Sequence, residues 1–133
     1  AFAMTEDVAK DSLEPGDHGT TYGGNPLVCT AVAKTLEIFE KERLTEHVKE
    51  IGAYLEERLD ELAASEDTVL ERRGTGLIQG IRLTKPAGEV TARAMEEGLV
   101  IITARSDVIR FVPPMVIAKE HVDEMIEKLK KSL

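Results

Sequence analysis

The sequence predicts an α+β fold: a small, mostly antiparallel sheet of about four strands with helices packed on one side. Two observations carry that expectation. Apolar residues recur at helical spacing through 45–64 and again through 119–131, whereas between them the pattern changes to short apolar runs at 69–83 and 99–113. Glycine and proline pairs, Gly74 with Gly76 and Pro113 with Pro114, punctuate those runs as strand boundaries. A length of 133 residues, 42% of them hydrophobic, suits one domain with a real core.

The elements follow in order. Residues 1–13 have weak helical character, and "EPGDHG" (14–19) is a turn cluster. A helix is predicted from Pro26 to about Arg43, with Asn25 as N-cap and Pro26 at the first helical position. Its Ala31 and Ala33 suggest close approach to another element, and Leu36, Ile38 and Phe39 supply bulk. A second helix runs from Thr45, as N-cap, to Ala64. Val48, Ile51, Leu55, Leu59 and Leu62 form its apolar stripe, and Glu56, Glu57, Arg58, Asp60 and Glu61 its wet face. "TVLERRGTGLIQGIRL" (68–83) reads as two strands around a Gly74-Thr75-Gly76 turn. A third helix covers Ala87 to Glu97, stopped by a left-handed Gly98 with Leu99 folding back. Strands are expected at 99–103 and 107–113, the latter ended by two prolines that cannot donate to a ladder. The last helix, 119–131, presents Val122, Met125, Ile126 and Leu129 on one face and starts without a capping acceptor at Ala118.

Charge and cysteine usage exclude several classes. With 25 acidic against 17 basic residues, the net charge of −8 argues against a nucleic-acid backbone as partner. Lys130-Lys131 is read as cations near a helix C-terminus. No apolar run reaches the length of a membrane span, so no membrane partner is expected, and the first residues lack the basic start of a signal peptide. The single cysteine, Cys29, cannot form an internal disulfide, which fits a reducing cytoplasm; its apolar neighbours predict a buried, inert thiol. His18, His47 and His121 lie far apart and no CxxC or HExxH occurs, so no metal site is expected.

Three segments could carry chemistry. "GTTYGGNP" (19–26) places hydroxyls and flexible backbone before a helix N-terminus, where unpaired N–H groups and the helix dipole suit an anion such as phosphate. A capped loop-to-helix junction with no ligand is the plain alternative. "GTGLIQG" (74–80) is not a dinucleotide fingerprint: its third glycine comes one residue late, and it leads into a strand. In "VIRFVPP", Val108, Arg110 and Val112 share one strand face while Ile109 and Phe111 share the other. Arg110 in so apolar a strand is either a structural ion pair, a snorkelling side chain or a fork for a substrate carboxylate.

The segments "PGDHGTTYGGNPLVCTAVAKTLEIFE", "GTGLIQGIRL" and "AMEEGLVIITARSDVIRFVPPMVIAKEHVDE", in this order and spacing, resemble the C-terminal third of a class III aminotransferase of the pyridoxal-phosphate fold-type I superfamily. The resemblance covers the whole chain and is nearest to the acetylornithine aminotransferase branch, toward which Asp17 leans, the ornithine branch tending to show glutamate there. It implies that residues 1–25 are a remnant of a large cofactor domain, and that 26–133 are a long interdomain helix and a C-terminal small domain. It also implies a homodimer in which this loop meets the phosphate of the partner subunit's pyridoxal 5'-phosphate. Thr21 would then donate its hydroxyl, the Thr20 backbone would assist, and Gly23, Gly24 and Asn25 would shape the turn. Arg110 matches the arginine that binds a substrate carboxylate.

By the same resemblance, the Schiff-base lysine and the ring-holding residues lie upstream of this sequence. Lys10 is not a candidate, no catalytic residue is expected in the chain, and the chain is expected to be an excised, inactive fragment. The implied parent reaction passes the δ-amino group of N-acetylornithine to 2-oxoglutarate in the cytoplasm. Arg105 and Ala118 depart from the family pattern; Arg105 either adds a charge near the substrate side or merely sits on a loop tip. The rival expectations are a free-standing amino-acid-binding or assembly module, a dimerisation remnant, or part of an ornithine or other ω-aminotransferase.

Overall fold

The computed structural model describes residues 3–14, 16–17 and 19–133. Pro15 and His18 of the expected turn cluster lie outside the described residues. The chain divides into two compact units, one up to Ile38 and one from Phe39 to Leu133. The helix α1 (Glu6–Ser12) belongs to the first unit, and α2 (Pro26–Lys41) begins there. Asn25 caps α2 as expected: its Oδ1 accepts from the Leu27 N–H at 2.9 Å and the Val28 N–H at 3.4 Å. No α2 residue is buried. Cys29 is therefore exposed and not the buried thiol the sequence suggests, and Ala31 and Ala33 are exposed as well.

The second unit holds α3 (Leu44–Ser65), β1 (Val69–Thr75), β2 (Ile78–Leu83), α4 (Ala87–Glu96), β3 (Ile102–Arg105), β4 (Val108–Phe111) and α5 (Lys119–Ser132). The four strands form one sheet in the order β1-β2-β4-β3, every neighbouring pair antiparallel. One sheet face packs against the helices through Val69, Ile81, Leu83, Ile109 and Phe111, which meet Leu55, Leu59, Leu62, Val90, Val122, Ile126 and Leu129. Each such side chain contributes about 1.5–3 kcal/mol on burial. The expected α+β sheet with helices on one side is what forms.

Local departures have identifiable causes. The α3 helix begins at Leu44, after a left-handed Arg43 (φ 50°), so Thr45 lies inside it and is not its N-cap; the earlier start carries Leu44 into the buried set. Its polar face is not simply wet. Asp60 receives the Arg72 Nε at 2.7 Å, and Glu56 accepts from the buried Gln79 amide at 3.1 Å, tying α3 to the β1–β2 hairpin. On the other side Tyr54 donates to Asp123 at 2.7 Å and Arg58 to the same oxygen at 3.0 Å, joining α3 to α5. The hairpin reverses at Gly76-Leu77, the last residue of the expected turn and the one after it, because Leu77 is drawn into the core and Gly76 (φ +56°) packs on Gly52.

The stop at Gly98 (φ +73°) is as expected. Its N–H bonds Met95 O at 3.1 Å, and the Leu99 N–H returns to Ala94 O at 2.7 Å. That fold-back consumes Leu99, so the third strand starts at Ile102 and not at residue 99. At α5, Ala118 offers no side-chain acceptor, but the His121 ring accepts from the Ala118 N–H at 3.0 Å.

Candidate functional site

The loop before α2 lies in the first unit. Thr20, Thr21, Tyr22, Gly23 and Gly24 are all exposed. Gly24 takes φ +71°, which favours glycine; at Gly23 an added Cβ would sit 2.5 Å from Cγ2 of the exposed Thr20, a side-chain methyl that can swing aside. The helix N-terminus itself is not an open donor set: Pro26 has no N–H, and Asn25 takes those of Leu27 and Val28. The donors left for an anion are different ones. The Tyr22 N–H goes to Thr20 Oγ1 and the Asn25 N–H to Tyr22 O, each at 3.4 Å. Among the described residues, the N–H groups of Thr20, Thr21, Gly23 and Gly24 and the Thr21 hydroxyl make no hydrogen bond. Exposed hydroxyl and amide donors of this kind can take an anion as partner.

Arg110 lies in the second unit, on the sheet face turned away from the helices. The register arranges that face in rows. One row runs Glu71, Arg82, Val108, Arg105 across β1, β2, β4 and β3; the next runs Arg73, Gly80, Arg110, Ile102. Arg110 is exposed while its neighbours Ile109 and Phe111 are buried, the alternation expected of the strand. Gly80 beside it adds no side chain, which leaves the guanidinium room on that flank.

The four arginines of this face fall into two pairs. Arg73 donates to Glu71 at 2.6 Å and Arg82 contacts the same oxygen at 2.8 Å. Those partners, the hydrogen bond from Arg73 foremost, hold the Glu71 carboxyl below the usual glutamate range against the opposing effect of burial. Arg105 and Arg110 have no ion-pair partner among the described residues. A structural salt bridge is therefore not how Arg110 is accommodated; it stays at the surface with its donors available.

A cavity of about 400 Å³ is lined by Ile101, Ile102, Arg110, Phe111, His121 and Met125, with Leu55 and Val122 of the core also in its wall. The sequence alone pointed to Arg110 and the loop. It missed the Glu71 cluster and Gly80, whose signal is only the period-two spacing of Glu71, Arg73, Gly80 and Arg82.

The family model described as Aminotransferase class-III matches residues 1–133. An acetylornithine aminotransferase of Aquifex aeolicus is 40% identical over 133 residues, 100% of this chain and 33% of the relative. An ornithine aminotransferase of Bacillus subtilis is 41% identical over 121 residues, 91% of this chain and 30% of the relative. The solved acetylornithine aminotransferase of Elizabethkingia anophelis superposes with a TM-score of 0.80 at 28% identity, over 92% of this chain and 32% of that one. The chain thus spans about a third of the length of the proteins it matches.

Proposed function

The chain belongs to the class III aminotransferase family, and on that premise we propose that it acts as the C-terminal part of a pyridoxal-phosphate-dependent aminotransferase. Residues 1–25 are assigned to a cofactor-domain remnant and 26–133 to an interdomain helix and small domain. Both acetylornithine and ornithine aminotransferases stand among the relatives at similar identity; the N-acetylornithine and 2-oxoglutarate assignment rests on the loop sequence with Asp17. The observation that carries the reading is Arg110, exposed and without an ion-pair partner among the described residues on a face whose only paired arginines share Glu71.

Pyridoxal phosphate, when bound, supplies the electron sink through which an amino group is exchanged for a carbonyl. The chain's own residues bind and orient. Thr21, with its hydroxyl, and the amides of Thr20, Gly23 and Gly24 hold the phosphate in the partner subunit of a homodimer. Arg110 holds a substrate carboxylate by a planar, bidentate fork, fixing the reacting carbon. Amino donor and oxo-acid acceptor both carry such a carboxylate, so one arginine serves both half-reactions. No residue of this chain is assigned the proton transfer, and the isolated chain is expected to form no glutamate.

The test uses the enzyme that contains this segment. Losing one partner of a buried charged pair costs about 2–5 kcal/mol, so Arg110→Gln lowers kcat/KM about thirtyfold or more for donor and acceptor alike. Thr21→Val removes a hydrogen bond to a charged group, about 1.5–3 kcal/mol, and weakens cofactor retention about tenfold or more. Unchanged kcat/KM in the first variant, or glutamate formation by the isolated 133-residue chain, contradicts the reading.

A further inference from the structure

The backbone between β4 and α5 is held by two imidazoles from different helices. Pro113 and Pro114 have no N–H to give, and the Ile117 N–H turns back to Pro114 O at 3.2 Å. Among the described residues, the hydrogen bonds of 113–118 to side chains run only to histidines. His47 of α3 meets Ile117 O through Nε2 at 2.8 Å, and Nδ1 of His121 accepts from the Ala118 N–H at 3.0 Å. The His121 N–H returns to Ala118 O at 3.1 Å. The ring thus closes a reciprocal cap on a helix whose Ala118 has no side-chain acceptor of its own.

The two bonds answer protonation differently. A carbonyl only accepts, so His47 Nε2 carries a hydrogen, and a second proton on that ring leaves its bond intact. His121 Nδ1 takes the amide hydrogen on its lone pair, so a second proton destroys the acceptor. An imidazolium there would also face the positive end of the α5 dipole. The charged neighbours are otherwise engaged. On α5, Lys119 reaches Glu50 of α3 at 3.0 Å, and Glu124 pairs with Lys128 at 2.7 Å, leaving Glu120 in the first turn. From α3, Arg58 binds Asp123 at 3.0 Å; from β4, Arg110 lines the same cavity as His121. Glu97, just past α4, meets α5 at its far end, at Lys131. The hydrogen bond from Lys128 foremost holds the Glu124 carboxyl below the usual glutamate range, so it stays ionised while an imidazole titrates.

We propose that His121 is a pH-sensitive latch: its neutral ring fastens Ala118 to the first turn of α5, and protonation frees the segment 113–118 at that end while His47 still holds Ile117. Pro113, Pro114, Ile117 and His121 all line the cavity, so release loosens one wall of it. The sign follows from the acceptor: the stabilisation is complete at high pH and is lost as pH falls through the titration of the ring. The latch needs no ligand and is independent of the carboxylate role of Arg110.

The test is hydrogen–deuterium exchange mass spectrometry of the enzyme that contains this segment. Overlapping peptides isolate the Ala118 amide, and rates are corrected for the intrinsic pH dependence of exchange. From about pH 8 to about pH 5, the span over which histidine changes charge, protection of Ala118 in the wild type is expected to fall about fivefold, the worth of a typical helix cap. His121→Gln keeps an acceptor at the capping-box position that does not titrate there, and should hold protection constant. His121→Ala should show low protection at every pH. His47→Gln, whose amide can still donate, should keep the pH dependence. Constant protection in the wild type overturns the proposal. A fall that persists in His121→Gln does so too, because another group then titrates. Protection in His121→Ala equal to that of the wild type at high pH removes the latch, and loss of the pH dependence in His47→Gln moves the switch to the wrong histidine.

Discussion

Gly52 shows how narrowly single positions are set. A Cβ there would lie 2.7 Å from Gly76 Cα and 2.9 Å from its carbonyl carbon, both backbone atoms that cannot move aside alone. Gly52→Ala is expected to destabilise the second unit by about 1–3 kcal/mol, measured by urea unfolding. Gly88→Ala, with nothing within 4 Å in helix α4, is expected to leave stability unchanged or raise it by up to about 1 kcal/mol. Glu71 gives a pH prediction. Its folded-state carboxyl is depressed, chiefly by the hydrogen bond from Arg73 and then by the charges of Arg73 and Arg82. The stabilisation is therefore complete above the ordinary glutamate range and is lost as pH falls through the lower, folded value. Glu71→Gln should flatten that acid-side decline in thermal denaturation; an unchanged acid limb counts against the pairing. At this scale Arg110 was legible, because alternation with Ile109 and Phe111 fixes its face. Arg105 was not, because a bulge resets alternation and its position depends on the partner strand.

The elements were legible where period and punctuation agree. The α3 stripe of Ile51, Leu55, Leu59 and Leu62 and the α5 stripe of Val122, Ile126 and Leu129 are buried as their spacing predicts. Asn25 and Gly98 act as the start and stop signals their chemistry suggests. The misplaced features lie where an apolar residue serves a purpose other than its local pattern. Leu77 leaves the strand to enter the core, and Leu99 leaves it to close the α4 terminus. The loop before α2 departs for a different reason: the donors expected from the helix N-terminus are taken by Asn25 itself. Asn25→Ala should therefore cost α2 about 1 kcal/mol and speed hydrogen exchange at the Leu27 and Val28 amides. Unchanged exchange there removes the capping role.

For the molecule as a whole, the described core belongs to residues 39–133, while α2 carries exposed Leu27, Val28, Val32, Leu36 and Ile38 along its length. An unburied apolar stripe of that kind marks a surface made for covering. Among the described residues no helix is long and apolar enough to cross a membrane. The fold class was readable from period and turn chemistry. The family resemblance was not readable from any one residue; it came from three segments taken in order. The central claim is that these groups serve a longer enzyme. The measurement that tests it most directly is the mass of the native polypeptide, from a blot of source-cell lysate with an antibody raised against this chain. A band about three times heavier than 14.6 kDa is expected, since the chain is 33% of its Aquifex relative. A single band at 14.6 kDa would contradict the account, because the Schiff-base lysine that the resemblance implies would then have no place on the polypeptide.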